Sequence, residues 1–457
     1  MIESVIFFFS GSGVVMLFIL FMRINVVGSK SKLVKHRSKE PGFVDLLIYA
    51  SVVDDGVIVG KDGSLMAAWA YQGVDSNSST EAERDQVSLQ INHALSRMGS
   101  GWMIHIDAVR KPAPGYSTKD DSHFPDPVSA AIDEERREFF ERVGTLYESN
   151  YVITATYLPP LLAQQKFVEL MFDDEGVPVD SKTRTIALLN HFKRECANIE
   201  SHLSSVFRMK RLKGKTITKE DNSSVNYDAF LRWIQFCISG LDHPVILPKN
   251  PIYLDALLSG QEFWGGVVPK IGQNFIQVVS IEGFPLASSP GLINSLADLP
   301  CLYRWSTRFI FMDTHEAVGH LEKFSKKWKQ KIRSFFDQVF NSHSSNVDQN
   351  AINMVSDAQA AIAETNSGEV AQGYYTSVVV LMSESRGDLE ASARQVAKAI
   401  NHLGFAARIE TINTIDAYLG SLPGHGVENV RRPLLNTMNL ADLMPSNTVW
   451  PGKNEAP

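Results

Sequence analysis

The sequence contains little cysteine and no excess of positive charge. Three cysteines occur in 457 residues, Cys196, Cys237 and Cys301, and their wide spacing matches no metal site or redox pair. This excludes a disulfide-stapled secreted domain and favours a reduced, cytoplasmic body. The formal net charge is -7, so the composition gives no global electrostatic argument for nucleic-acid binding.

A complete phosphate-binding loop is also missing. Such a loop needs the pattern G-x-x-x-x-G-K-[ST] directly after a strand. The nearest approach is Gly214-Lys215-Thr216, but Met209 stands where the first glycine belongs, and the preceding residues have helical periodicity. We therefore interpret this tripeptide as belonging to a solvated basic loop, and we predict that the chain itself binds neither ATP nor Mg²⁺.

Zinc-protease and nucleophile motifs are absent too. His315 and His320 are five residues apart, which places them about 140° apart around a helix, so both cannot reach one metal. We interpret them as polar residues at a helix start. The sequence contains no GxSxG elbow. We predict no catalytic, cofactor-binding or metal-binding residue.

An apolar run is present at the amino terminus. It extends from Ile2 to Met22 with Glu3 as its only charge, about the length that a membrane-spanning helix needs. Basic residues follow the run and none precedes it, which predicts an uncleaved anchor with the remaining chain in the cytoplasm. The alternative is an apolar core helix. The predicted anchor residues are Val5, Ile6, Phe7, Phe8, Phe9, Leu17, Phe18, Ile19, Leu20 and Phe21, and the basic juxtamembrane residues are Arg23, Lys30, Lys32, Lys35, Arg37 and Lys39.

Strand and helix patterns alternate through the remaining chain, which predicts an α/β fold: α+β layered sheets with helices, with two related halves as an option. The pairing order of the strands is not readable. Strands are expected at 57–71 (as a hairpin), 102–109, 151–158, 274–281, 303–312, 374–382 and 405–412. Helices are expected after a Thr80–Glu83 capping box, after Asp126-Pro127 (with a Glu138–Arg142 pair inside), at about 183–212 and 227–239, from Asp388 as its cap to Leu403, and up to Leu419.

A long helical hairpin is predicted between two of these strands, at about 314–364. Its first helix has an apolar seam at steps of three and four, formed by Ala317, Leu321, Phe324, Trp328, Ile332, Phe335 and Val339. Its outer face is basic, with Lys323, Lys326, Lys327, Lys329, Lys331 and Arg333. This face is either a solvated cover of the seam or an interaction surface for nucleic acid, lipid headgroups or an acidic partner.

Several longer stretches resemble a known family. They are LLIYASVVDDGVIVGKDGSLMAAWAYQGVD, LSRMGSGWMIHIDAVRKPAPGY with FPDPVSAAIDEERREFFE, YVITATYLPP, and SLPGHGVENVRRPLLNTMNLADLMP. Their order and spacing resemble the amino-terminal half of TrbE-type members of the CagE/TrbE/VirB family of conjugative type IV secretion ATPases. The resemblance spans roughly residues 43–450. In that family a strand and the phosphate loop of a RecA-like motor follow the last of these stretches, whereas this sequence stops at Pro457.

The resemblance implies a membrane-anchored, non-catalytic half of a conjugal-transfer ATPase. ATP and Mg²⁺ would belong to the motor, and the implied partners are that motor and the inner-membrane secretion components, in an oligomer at the bacterial inner membrane. The alternatives are a nucleotide-using enzyme with an unrecognised site and a truncated regulatory subunit. The expected organisation is an anchor at 1–22, a basic linker at 23–42, α/β halves at 43–240 and 241–430, and a linker to the motor at 431–457.

Overall fold

The computed structural model describes most of the 457-residue chain, namely residues 42–73, 75, 78–159, 179–218, 224–248, 252–285, 288–339, 349–429 and 433–448. The chain divides into two compact units, Met1–Leu46 and Leu47–Pro457. In the first, the described residues form one short helix, α1 (Phe43–Leu46). The predicted anchor and the basic juxtamembrane residues lie outside the described ranges. Within those ranges, no helix combines the length and apolarity that crossing a bilayer requires.

The second unit contains the strands and the other described helices. The strands are β1 (Tyr49–Asp54), β2 (Val57–Gly60), β3 (Leu65–Gln72), β4 (Trp102–Pro112), β5 (Tyr147–Tyr157), β6 (Arg208–Arg211), β7 (Gly214–Thr218), β8 (Ser224–Asp228), β9 (Phe263–Trp264), β10 (Lys270–Ile271), β11 (Asn274–Gly283), β12 (Tyr303–Phe311), β13 (Gln372–Ser383), β14 (Ala406–Ile409) and β15 (Leu434–Asn436). The helices are α2 (Glu81–Leu95), α3 (Pro127–Val143), α4 (Val179–Leu203), α5 (Ala229–Ser239), α6 (Leu254–Leu258), α7 (Thr314–Val339), α8 (Gln349–Ser367), α9 (Arg386–His402), α10 (Thr414–Leu419) and α11 (Thr437–Asp442).

Within the described residues, thirteen strands form a single sheet rather than the expected several sheets. Its order is β1-β2-β3-β5-β4-β12-β13-β11-β10-β9, with β6 beside β3, β14 beside β11 and β15 beside β13, while β7 and β8 form a separate hairpin. Neighbouring strands are antiparallel throughout the described ranges. The mixed α and β content that the sequence predicts is confirmed, and the sheet joins strands from both halves of the chain.

The same strand order occurs twice in this sheet. The strands β3, β4, β5 and β6 lie in the order fourth, first, third, second, and so do β11, β12, β13 and β14. This is the ferredoxin-like arrangement, with α3 inserted between the second and third strands of one set and α7–α8 at the equivalent place in the other. The sets join through β4 and β12. The repetition supports two related halves, whereas a boundary at residue 240 stays a prediction.

Both faces of the sheet are covered. Because side chains alternate between faces along a strand, one set of alternate positions from both halves forms a continuous apolar core, for example Trp69, Ile106 and Phe309. Helices α2, α4 and α9 contribute to this core. The opposite face has a mixed cover in which α5 is buried and apolar on one side. The junction of the halves is therefore enclosed on both sides.

Several local predictions are confirmed. The hairpin is formed by β2 and β3, with Gly63 at a φ of 80° in its turn. The Thr80 side chain accepts from the Glu83 amide, and the Glu83 carboxylate accepts from the Thr80 amide at 2.8 Å, so the capping box is complete. Asp126 accepts from the Ser129 amide at 2.9 Å and caps α3.

Three local predictions are wrong. The helix expected to reach residue 212 ends at Leu203, because the next segment becomes β6 and pairs with the distant strand β3. Ser385, not Asp388, caps α9, since its hydroxyl accepts from the Asp388 amide. Arg142 donates to the backbone carbonyl of Glu138 at 3.3 Å instead of forming a pair with its carboxylate.

The helical hairpin, hereafter the arm, is confirmed as α7 and α8, which pack against each other. One position of its predicted seam is wrong. Phe324 is 56% exposed, whereas Ser325 is 5% exposed. The buried line follows steps of four from Ala317, which is fully buried, and residue 325 therefore takes the place that the sequence pattern assigned to Phe324.

Candidate docking platform at the junction of the halves

Five polar side chains line one face of the sheet where the halves join. His105 and Asp107 come from β4, and Arg304, Ser306 and Arg308 come from β12. The register places Asp107 opposite Ser306 and His105 opposite Arg308. All five are buried. Because a buried polar group costs free energy unless it is hydrogen-bonded, this junction needs partners from outside the two strands.

The central contact of the junction is an ion pair. Arg304 Nη1 lies 2.8 Å from Asp107 Oδ1, and the two side chains are 5% and 0% exposed. Burial raises the pKa of the Asp107 carboxyl, and the positive charge of Arg304 opposes that rise. The same guanidinium donates to the carbonyl of Ser421 at 2.8 Å and to its hydroxyl at 2.6 Å. A segment far along the chain thus completes the arginine's hydrogen bonding.

That segment, residues 418–429, is called the strap here. Ser306 Oγ donates to the carbonyl of Ser421 at 3.1 Å. Arg308 Nη1 donates to the carbonyls of Gly420 at 3.3 Å and His425 at 3.0 Å. The side chains of β12 therefore bind the strap mainly through its backbone, which fixes the path of the chain with little dependence on the strap's own side chains.

The strap also contacts the first half. The hydroxyl of Tyr49 on β1 donates to the carbonyl of Pro423 at 2.8 Å. Gly424 has a φ of +87°, and a Cβ there would lie 2.3 Å from Met66 Sδ on β3. A side chain at this position would meet both backbone strain and a collision. Glycine is consequently what allows the strap to lie against the first half while it is bonded to the second.

His105 is a neutral member of the junction. Its Nε2 lies 3.4 Å from the carbonyl oxygen of Gly420. Burial, with the charge of Arg308 as the next cause, holds the pKa of His105 well below its usual range. A neutral ring at this position adds a contact to the strap without a second positive charge beside the arginines.

The described chain continues after the strap into a carboxyl-terminal segment, residues 433–448. It first pairs as β15 with β13 of the second half. The hydroxyl of Thr437 then donates to Asn92 Oδ1 on α2 at 2.6 Å and accepts from the Ala371 amide at 3.0 Å. The segment crosses from the second half to the first at this point.

The end of this segment is bound to the first half. Hydroxyl groups of Tyr71 and Tyr151 donate to the carbonyls of Pro445 at 2.8 Å and Asn447 at 2.6 Å. The Gly73 amide donates to Thr448 Oγ1 at 2.8 Å. The strap and the carboxyl-terminal segment together, called the platform here, connect both halves of the sheet and fix the position of residue 448.

Comparisons with known proteins match nearly the whole body. Residues 56–165 match a family model described as the N-terminal domain of the type IV secretion system ATPase VirB4/TrbE. Residues 215–431 match the CagE, TrbE, VirB family, a component of the type IV transporter system. A short probable conjugal transfer protein TrbE from Sinorhizobium fredii is 49% identical over 125 residues, which cover 27% of this chain and 84% of that protein. The chain belongs to the VirB4/TrbE family.

Two longer TrbE relatives are similar over more of the chain. The conjugal transfer protein TrbE of Rhizobium radiobacter is 44% identical over 424 residues, which are 92% of this chain and 51% of that protein. A second probable conjugal transfer protein TrbE of Sinorhizobium fredii is 45% identical over 267 residues, 58% of this chain and 40% of that protein. This TrbE-family chain therefore spans about half the length of the Rhizobium relative.

The residues that the sequence analysis selected do not form the platform. Lys323, Lys326 and Lys327 are exposed on α7, and Lys326 Nζ pairs with Glu322 at 3.3 Å. The side chains of Lys329, Lys331 and Arg333 lie outside the described ranges, as do all the predicted anchor and juxtamembrane residues. Sequence reasoning missed the platform because the alternation on β12 reads as an ordinary strand with one solvated face.

The Gly214-Lys215-Thr216 tripeptide does not fit a nucleotide. It lies on β7, so the predicted basic loop is a strand, although the tripeptide is exposed apart from its half-buried glycine. The Gly214 amide already donates to Asp55 Oδ1 at 2.8 Å. A carboxylate at this amide would repel a phosphate. The described residues hold no group of three or more histidine, cysteine or acidic side chains arranged for a metal. His315 lies exposed at the start of α7, as expected.

Replacing Arg304 with methionine should destabilise the protein by about 3–5 kcal/mol, because Asp107 would remain buried without its partner. Urea unfolding followed by circular dichroism measures this change. Arg386→Met is the matched control, since its pair with Glu390 is exposed and such pairs contribute at most about 1 kcal/mol. Equal losses in the two variants would contradict a structural role for the buried pair.

Replacing Gly424 with alanine should also destabilise the protein, by about 1–2 kcal/mol from the left-handed backbone alone, with a further loss from crowding against Met66. Gly319→Ala is the control. Gly319 lies in α7 with no atom near its Cβ position, so alanine there should add about 0.5–1 kcal/mol. Thermal unfolding compares the two variants, and a stabilised Gly424→Ala would show that the strap is not tightly held.

Proposed function

We propose that this chain is the non-catalytic docking body of a TrbE-type conjugal-transfer ATPase. In this role it is held at the bacterial inner membrane and provides a fixed base for the motor region that supplies energy for pilus assembly or substrate transfer. Its partners are that motor and the inner-membrane components of the secretion system. Membership of the family supports the setting, and the platform supports the mechanical role.

The observation that carries this proposal is the path of the chain after β14. A motor can transmit force to a base only if the connection between them is fixed. Here the strap bonds to the buried Arg304 and Arg308, and the last described residue, Thr448, bonds to β3-adjacent Gly73. Whatever follows residue 448 would start from a point that is fixed to both halves of the sheet.

The non-catalytic role rests on the residues that would have to hold a nucleotide. The sequence contains no complete phosphate loop, and the one partial match has its glycine amide bonded to a carboxylate. ATP and Mg²⁺ would accordingly be bound by the motor region. Longer relatives such as the Rhizobium protein, of which this chain covers 51%, have room for such a region.

The membrane attachment rests on the amino-terminal sequence. The apolar run of 2–22 provides the anchor in this proposal, and the basic residues of 23–39 lie next to the anionic headgroups of the inner leaflet. Each lysine or arginine near such a surface contributes on the order of 1 kcal/mol. The body after residue 42 is then cytoplasmic, attached by a single span.

Deleting residues 2–22 should release the protein into the soluble fraction, because the remaining basic residues alone provide only salt-sensitive attachment. Fractionation of expressing cells, followed by a high-salt wash of the membranes, measures the distribution. The control deletes 341–346 in the arm's connection, which should leave the protein in the membranes. Retention of the 2–22 deletion after the salt wash would contradict the anchor.

The isolated chain should show no saturable thermal shift with Mg-ATP. The comparison uses Mg²⁺ with sodium sulfate at the same ionic strength, so that salt effects cancel. A saturable shift would instead support a nucleotide-using enzyme with an unrecognised site. Lys215→Ala then tests the partial motif: a shift that this variant abolishes would place the nucleotide on β7.

A further inference from the structure

Helix α3 has its charged and apolar sides reversed relative to an ordinary surface helix. Its apolar residues Val128, Ile132, Phe139 and Val143 are between 47% and 65% exposed. At 100° per residue these four lie within an arc of about 60° on one side. With the exposed neighbours Phe124 and Leu146 they make a continuous apolar surface, called the α3 patch here. Large exposed apolar patches mark interaction sites.

The other side of α3 explains why the patch is turned outward. Asp133 and Arg137 are buried there and paired at 2.5 Å. Tyr116 donates to Asp133 at 2.6 Å, and Arg137 Nε donates to the carbonyl of Ser117 at 3.1 Å. The ring of Phe140 stacks on Tyr116. These contacts fix the rotation of the helix, so the apolar side cannot turn inward without breaking them.

The charge around the patch indicates what can cover it. Helix α3 carries five acidic residues and three arginines, and Arg137 is engaged with Asp133 and Glu134. Glu135, Glu138 and Glu141 remain exposed on the helix. An anionic lipid surface would be repelled by this rim, whereas an apolar residue surrounded by lysines would be attracted.

The arm of the same protein has that complementary surface. Phe324 is 56% exposed, and the exposed lysines Lys323, Lys326 and Lys327 surround it in sequence. Helix α7 as a whole carries six basic residues against three acidic ones. It is 26 residues long, about 39 Å, which is enough to reach a neighbouring molecule.

Strand direction places the two surfaces at opposite ends of the sheet. Helix α3 follows the end of β4, and the arm follows the end of β12. The two strands are antiparallel, with Arg110 opposite Tyr303 and Met103 opposite Ile310. The surfaces therefore leave the sheet about 25 Å apart along the strands and in opposite directions along them. A contact between them is most simply made by two molecules.

We propose that the α3 patch of one copy binds the Phe324 region of the arm of a second copy, head to tail. Such a contact uses two different surfaces on each molecule, so each copy keeps one patch and one arm for further neighbours, and the assembly grows into a ring or a filament. The proposal goes beyond the docking role above and does not depend on nucleotide or membrane binding.

The test uses two full-length copies with different affinity tags, co-expressed and captured through one tag. The patch variant is Ile132→Ser with Phe139→Ser, and the arm variant is Lys323→Glu with Phe324→Ser. Capture should be lost when both copies carry the patch variant and when both carry the arm variant. Capture should persist when one copy carries each variant, because one intact patch still faces one intact arm.

Leu89→Ser is the matched control, since Leu89 on α2 is 55% exposed, close to the 54% of Phe139. It should leave capture unchanged in both copies, and circular dichroism verifies that every variant folds. Loss of capture in the mixed patch and arm pair would show that like surfaces pair. Capture unaffected by any variant, or patch-dependent binding to anionic lipid vesicles by a monomeric chain, would overturn the proposal.

Discussion

The buried pair of Arg304 and Asp107 is the interaction on which the rest of the structure depends. Two charges are removed from water at the strands that join the halves, and a buried pair is tolerated only when its remaining hydrogen bonds are made. The strap provides those bonds through Ser421. Pairing of the halves and binding of the strap are consequently coupled, because neither satisfies the arginine alone.

This coupling relates the architecture to the proposed role. A ferredoxin-like half on its own would have its second strand at an open edge. Joining β4 to β12 closes both edges, and the strap then covers the polar face of the junction. A body built in this way resists separation of its halves under load, which a base for a force-generating motor requires. The two insertions at opposite ends of the joined strands leave the junction itself unobstructed.

Local chemistry explains which elements of the fold could be predicted from sequence. The Thr80–Glu83 capping box, the β2–β3 hairpin with Gly63 and the long strands β4, β5, β11 and β12 each depend on neighbouring residues, and these predictions are confirmed. The segment at Arg208–Arg211 has helical periodicity but forms β6, because its partner β3 lies more than 130 residues away. The missed exposure of Phe324 has a similar origin, since only packing decides which of two adjacent residues faces the partner helix.

The sequence by itself determined the local elements, the lack of a complete phosphate loop and the family resemblance, because each of these resides in short stretches or in their order along the chain. The platform was decided by tertiary structure alone. Arg304 and Arg308 read as solvated residues on an alternating strand, and only the pairing of β12 with β4 and the return of residues 418–429 bury them. The inverted orientation of α3 likewise depends on Tyr116 and Ser117, whose contacts with Asp133 and Arg137 exist only in the folded protein.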